Sequence, residues 1–127
     1  MRKNKLREKE NKMHELGVVF YIVQEVEKVA NANNVEKVKK VTLDIGEVST
    51  IVNPYLEDCW NWAIKKSEIL RDCKLKINTI KAITYCEDCG HKYSTVKYGK
   101  TCPKCKSTHT YLIQGNETNI KEIEVFD

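Results

Sequence analysis

The stretch "YCEDCGHKYSTVKYGKTCPKCKS", Tyr85–Ser107, sets Cys86 and Cys89 two residues apart, then Cys102 and Cys105 with the same spacing, and puts twelve residues between the pairs. In each pair a tight turn brings both sulfurs toward one point, and Gly90 and Pro103 suit such turns. Two such knuckles supply four thiolates at the distance and tetrahedral angles that Zn²⁺ accepts. Four sulfurs leave no open coordination position, so the ion expected here holds a module together and does not activate water. A redox Cys-x-x-Cys would stand at a helix start within a βαβ unit, and neither pair does. His91 and His109 flank the knuckles as candidates to replace a thiolate or to bind a second ion, although histidines in such places are more often solvated or hydrogen-bonded to a ligand sulfur.

Outward from the cysteines, "KLKINTIKAITY" (residues 74–85) has strand character and runs into the first knuckle. After the second, "HTYLIQG" and "NIKEIEVFD" predict two strands separated by a Gly-Asn turn. Upstream, "VKKVTLDIGEV" alternates Val41, Leu43 and Ile45 with Lys40, Thr42 and Asp44, a half-buried strand. "STIVNPYL" predicts a turn in which Asn53 caps and Pro54 opens a helix continuing to about Asp72. From His14 to about Asn31, Leu16, Val19, Phe20, Val23, Val26 and Ala30 recur at helical spacing, and "NANN" ends that helix. The expected fold is α+β: two helices packed on a small mixed sheet, with an inserted zinc-ribbon module. Its expected division is a basic tail over residues 1–12, an α/β domain over 13–84 plus 112–127, and the ribbon over 85–111.

The chain has 127 residues, enough for one domain carrying a small insertion, and no apolar run approaches the roughly 20 residues of a membrane span. The first twelve residues hold six basic side chains against Glu8 and Glu10, which accounts for the whole net charge of +4. The basic balance therefore describes a tail, expected to be disordered or to lie upstream of the true start, and not a face that attracts nucleic acid or membrane. That tail lacks the apolar core of a signal peptide, and six cysteines without a leader suit the reducing cytoplasm. Cys59 and Cys73, outside the knuckles, are expected as buried small hydrophobes, since no His or basic cluster is arranged to activate them. Of Trp60 and Trp62, one should enter the core and the other meet solvent or a partner.

"MHEL" (13–16) heading a helix, "LDIGEVS" (43–49), a helix opened by Asn-Pro, the paired knuckles and the closing "QGNETNIKEIEV" (114–125) follow in the order of one family. The chain resembles the hydrogenase nickel-incorporation proteins, HypA, from Met13 to Asp127. The resemblance implies a nickel metallochaperone for [NiFe]-hydrogenase maturation, a carrier and not an enzyme. Its partners would be a HypB-type GTPase and the hydrogenase large subunit, with a homodimer left open. It implies nickel at Met13, His14 and Glu15, and zinc at the four cysteines. A free terminal amine, the next amide nitrogens and an imidazole can close fused chelate rings around square-planar Ni²⁺ or Cu²⁺. Glu15 would add an oxygen, accept a hydrogen bond from the imidazole, or simply complement the helix dipole. One departure bears on the site. Met13 is internal here, so the amine exists only if Met13 is the functional start. Relatives that carry an acidic residue after the "IGEVS" turn are not matched at Val52 or Asn53, and no ligand is expected there. The competing reading is a zinc-ribbon module that binds nucleic acid or protein, using Lys97, Lys100, Lys104 and Lys106 around Tyr93 and Tyr98.

Overall fold

In a computed structural model the described backbone covers residues 2–126, with side chains described from residue 12 onward. The first helix, α1, spans Arg2–Ala32. It therefore starts well before His14, and the expected tail is drawn as helix: a run of Lys, Arg, Glu and Asn after Arg2, with no glycine or proline, gives the backbone no reason to stop. Glu15, Val19, Ile22, Val26 and Ala30 form its buried stripe. Phe20, expected on that face, is exposed and tilts against Trp62 with ring centroids 6.2 Å apart. The helix ends in a Schellman arrangement. Asn34 takes φ 55°, the N–H of Val35 reaches the Ala30 carbonyl at 2.8 Å, and that of Asn34 reaches Asn31 at 3.3 Å.

Strand β1, Val38–Gly46, follows. Val41, Leu43 and Ile45 are buried as the alternation predicts, but so are Val38 and Thr42 on the opposite face, since β1 is the inner strand of its sheet. Helix α2 spans Asn53–Ala63 with Pro54 in its first turn. Asn53 is already helical, so the capping residue is Val52, which offers no side-chain acceptor. Leu56, Cys59, Trp60 and Ala63 are buried, and α2 packs on α1. Trp60 is 1% exposed and Trp62 47%, the expected division. The helix stops nine residues before Asp72. A single 3₁₀ turn, Ile64–Lys66, leads to Ser67 in extended backbone, whose hydroxyl accepts the N–H of Leu70 at 3.2 Å. Serine thus offers the backbone an alternative to helix continuation.

The segment expected as one strand into the first knuckle is two: β2, Lys74–Ile80, and β3, Ile83–Cys86. Strand β4 spans Lys92–Ser94, followed by the single turn α3, Thr95–Tyr98. Strands β5, Thr110–Gln114, and β6, Thr118–Val125, close the chain. The strands form two three-stranded sheets, ordered β2-β1-β6 and β4-β3-β5, the second belonging to the cysteine module, so the chain changes sheet between β2 and β3 and again between β5 and β6. Both pairings of β3 are antiparallel, with Tyr85 opposite Lys92 and Tyr111.

Packing divides the chain into two compact units: residues 1–43, 51–77 and 120–127 in one, and 44–50 with 78–119 in the other. The cysteine unit is wider than residues 85–111, because β5 bonds to β3 along its length and the turn after β1 joins it. Inside this unit the "IGEV" and "QGNE" segments explain each other. Gly46 donates to the Glu117 carbonyl at 2.8 Å, Glu47 to Ile80 at 2.8 Å and Val48 to Gly115 at 2.9 Å. The Glu47 carboxylate accepts the N–H of Ala82 at 3.0 Å, and that of Glu117 accepts the N–H of Gly115 at 2.6 Å. The two carboxylates satisfy N–H groups where the chain leaves one sheet for the other.

A Cβ on Gly46 would stand 1.9 Å from the Gly115 carbonyl oxygen, whereas nothing lies within 4 Å of one on Gly17, in the exposed interior of α1. Thermal unfolding of the two alanine variants should therefore move in opposite directions. Gly46→Ala should lose about 1–3 kcal/mol to overpacking against backbone. Gly17→Ala should gain about 0.5–1 kcal/mol from helix propensity.

Candidate metal centre

Cys86 ends β3 and Cys102 begins the second knuckle, and both are fully buried, while Cys89 and Cys105 sit at the exposed side of each turn. The two knuckles share a hydrogen-bond pattern. The N–H of Gly90 donates to the Cys86 carbonyl at 2.8 Å and that of Lys106 to the Cys102 carbonyl at 2.9 Å; Cys86 and Cys102 donate in turn to His91 and Ser107, each at 2.9 Å. Gly90 at φ 75° and Lys106 at φ 65° take the left-handed backbone that each turn requires. Glycine does this without strain, and the lysine shows that the second turn is imposed by its surroundings.

All four sulfurs lie within 4.8 Å of one another, with Cys86 and Cys105 at 3.5 Å and Cys89 and Cys102 at 3.6 Å. Around a tetrahedral zinc with Zn–S bonds of about 2.3 Å, sulfurs stand roughly 3.8 Å apart, so the cluster fits that ion closely. It is the only group of three or more potential His, Cys, Asp or Glu ligands among the described residues.

The thiols do not titrate alike. Burial pushes Cys102 up, but the N–H groups of Cys105 and Lys104 and the sulfurs of Cys89 and Cys105 outweigh it and bring the group down to about 7. At Cys105 the Ser107 N–H lowers the pKa, yet burial and the three neighbouring sulfurs override it, to about 12. Cys89 is raised as well: the His91 N–H favours its thiolate, but burial and the Cys102 and Cys86 sulfurs prevail. One thiolate forms readily and the next ones resist, the behaviour of a site that completes its ionisation only with a cation present.

Neither histidine near the knuckles joins the cluster. His91 stacks on Tyr93 with centroids 6.1 Å apart, and His109 Nδ1 lies 3.2 Å from Asp88. Asp88 also accepts the Ser107 hydroxyl, which with His109 holds its carboxyl below the usual range. This clasp joins the first knuckle to the end of the second. Tyr93, buried with Cys86 and Cys102 in the core of the unit, donates its hydroxyl to the Gly99 carbonyl at 3.0 Å.

The second predicted site lies in the other unit. Met13 is 70% exposed and His14 is exposed, but Glu15 is 1% exposed. The structure therefore does not bring the three side chains together on one surface. Glu15 Oε2 accepts the backbone N–H of Val52 at 3.1 Å. With α1 beginning at Arg2, Glu15 is no first-turn residue and its carboxylate meets the start of α2, not of its own helix. The sequence carries a signal for this that hydropathy obscures: Glu15 is four residues before Val19, in phase with the buried stripe. A groove of about 410 Å³ lies alongside, lined by Lys12, Met13, Leu16, Asp58, Cys59 and Trp62. Cys59 and Cys73 are buried as expected, and burial pushes the Cys73 thiol up to about 11, an inert thiol.

The family model described as hydrogenase/urease nickel incorporation, metallochaperone, HypA, matches residues 13–125. The chain belongs to the HypA family. Among its relatives, the hydrogenase maturation factor HypA of Trichodesmium erythraeum is 36% identical over 113 residues, covering 89% of this chain and 96% of the relative. That of Actinobacillus succinogenes is 29% identical, covering 89% and 99%. The solution structure of the nickel metallochaperone HypA from Helicobacter pylori superposes with a TM-score of 0.66 at 27% identity, over 87% of this chain and 96% of that one. A second HypA solution structure gives 0.70 at 29% identity, over 90% and 97%. The α+β fold with small sheets and a ribbon-like cysteine cluster is the HypA fold. In HypA terms the knuckles and the "IGEV" and "QGNE" turns build one unit, and "MHE" heads the family's span in the other.

Zinc uptake by the metal-free protein at neutral pH should release at least two protons per ion, from Cys89 and Cys105, measurable with a pH indicator under reducing conditions. Because protons compete for the thiolates, zinc retention should fall as pH falls. Cys86→Ser or Cys102→Ser should drop zinc content well below one ion per chain by elemental analysis, while circular dichroism retains the α1–α2 helical signal.

Proposed function

We propose that this chain carries Ni²⁺ to the large subunit of [NiFe]-hydrogenase in the cytoplasm, together with a HypB-type GTPase, and that it performs no catalysis itself. Nickel binds at the Met13-His14-Glu15 segment, and zinc is the resident ion of Cys86, Cys89, Cys102 and Cys105. The observation that carries the nickel reading is that Met13 and His14 are exposed at the residue where the family match begins.

Helix geometry makes this nickel site depend on Met13 being the working amino terminus. In a helix running from Arg2, the amide nitrogens of Met13 and His14 are mid-helix and committed to carbonyls four residues back. A helix beginning at Met13 leaves its first N–H groups without intrahelical acceptors. They are then available, with the amine and the imidazole, to form a nitrogen set suited to square-planar nickel. The zinc unit, with four thiolates on its ion, leaves no open coordination position and takes no part in nickel chemistry.

Ni²⁺ titration into protein beginning at Met1 and protein beginning at Met13 tests the reading. The second should bind more tightly and show the d–d absorption of square-planar nickel. Its affinity should rise with pH, since the amine must lose a proton with a reference pKa of roughly 8. His14→Ala should abolish uptake without loss of zinc. Equal binding and identical spectra from both starts would exclude the amine as a ligand.

A further inference from the structure

Beside the Lys12 ammonium over the Tyr55 ring, 5.4 Å from its centroid, three polar contacts fasten the region around Met13 to α2. The Lys12 ammonium stands 3.2 Å from Asp58, the Cys59 thiol points at the Lys12 carbonyl at 3.8 Å, and Glu15 Oε2 accepts the Val52 N–H at 3.1 Å. The first is a half-exposed ion pair, which contributes little, and the second uses a weak donor. Both depend on Lys12, and in a chain starting at Met13 both are absent. The Glu15 contact does not depend on Lys12 and remains. It is also the strongest of the three by chemistry, a charge-assisted bond to a backbone donor at a helix start, where the N–H dipoles favour a negative group.

Glu15 is at the same time expensive. Its side chain is 1% exposed within the stripe formed by Val19, Ile22 and Val26, and its Oε1 is buried without a hydrogen-bond partner. An apolar residue there would avoid that cost. Adjacent helix residues differ by about 100° in direction, and here Glu15 points into α2 while His14 is exposed. A carboxylate reaching an ion held by the His14 imidazole would have to leave the core and release Val52.

We propose that Glu15 is a positioning residue of the nickel segment: its buried carboxylate, bonded to the Val52 N–H where α2 begins, holds the turn bearing Met13 and His14 against α2 and does not coordinate the ion. This rests on the reading that nickel binds at Met13 and His14. It assigns the third member of the segment a different task from the first two.

The test uses zinc-loaded full-length protein with Glu15→Gln and Glu15→Met, checked for zinc content and helical signal. Glutamine retains an acceptor for Val52; methionine keeps the volume and removes it. Amide hydrogen exchange at Val52 reads the contact without metal, and Ni²⁺ titration, repeated in the Met13-start chain, reads its effect on the site. The expected result is that Gln keeps Val52 exchange and nickel affinity within about threefold of wild type with an unchanged absorption spectrum. Met should speed Val52 exchange and weaken nickel about tenfold or more, the effect of losing a group that orients a ligand. A Gln variant with a shifted spectrum or a tenfold loss of affinity would make the carboxylate a ligand and overturn the proposal. So would a Met variant with wild-type exchange and affinity. Should wild-type protein take up no nickel while Val52 follows the expected exchange pattern, the contact is real but the carrier reading falls, and with it the claim that Glu15 serves a metal.

Discussion

Four cysteine sulfurs held within 4.8 Å of one another impose the strongest electrostatic constraint on the chain. Thiolates at such distances repel; here, against burial, backbone N–H groups and neighbouring thiols hold Cys102 down to about 7, while, against the Ser107 N–H, burial and the neighbouring sulfurs push Cys105 up to about 12. A divalent cation converts the repulsion into four bonds. The β3–β4 and β3–β5 pairings, the matched turn hydrogen bonds and the Asp88–Ser107–His109 clasp are arranged around that exchange. The apolar core of the unit is small, with Tyr93 packed beside Cys86 and Cys102. A metal ion bound at these sulfurs would accordingly contribute folding free energy to this part of the chain.

A second constraint is steric. A Cβ on Gly46 would strike the Gly115 carbonyl, and one on Gly115, at φ 120°, would strike Ala82, so neither accepts a side chain. Around this contact the chain passes from one sheet's strands to the other's, and Glu47 and Glu117 supply the acceptors that strand partners cannot. The "GE" and "GNE" segments are thus one structural solution written at two places: a glycine for close approach, and a carboxylate for an N–H left outside a ladder.

The helical part obeys a different rule. Apolar packing of α1 on α2 creates a firm surface, and the residues proposed for nickel belong to α1. Burial selects between them: Met13 and His14 face outward and Glu15 inward.

Much of this was readable from the residues. The Cys-x₂-Cys spacing named the sulfur cluster because knuckle geometry is local, set by four or five consecutive residues. The period of three and four along Val19, Val23, Val26 and Ala30 located α1, and Pro54 located the start of α2, again through local backbone preferences. What the residues left undecided was every choice made by a distant partner. Ser67 ends α2's extension only because its hydroxyl turns to Leu70. The apparent single strand at 74–85 divides because Ala82 bonds to Glu47, thirty-five residues away. Thr42 is buried because β1 lies between two strands. Glu15, polar by type, is inside because Val52 offers an N–H at the end of its reach. Local sequence fixes which conformations are inexpensive, and only tertiary contact determines which polar group finds its partner in the interior, because burial and hydrogen bonding depend on residues that the chain brings near only after it folds.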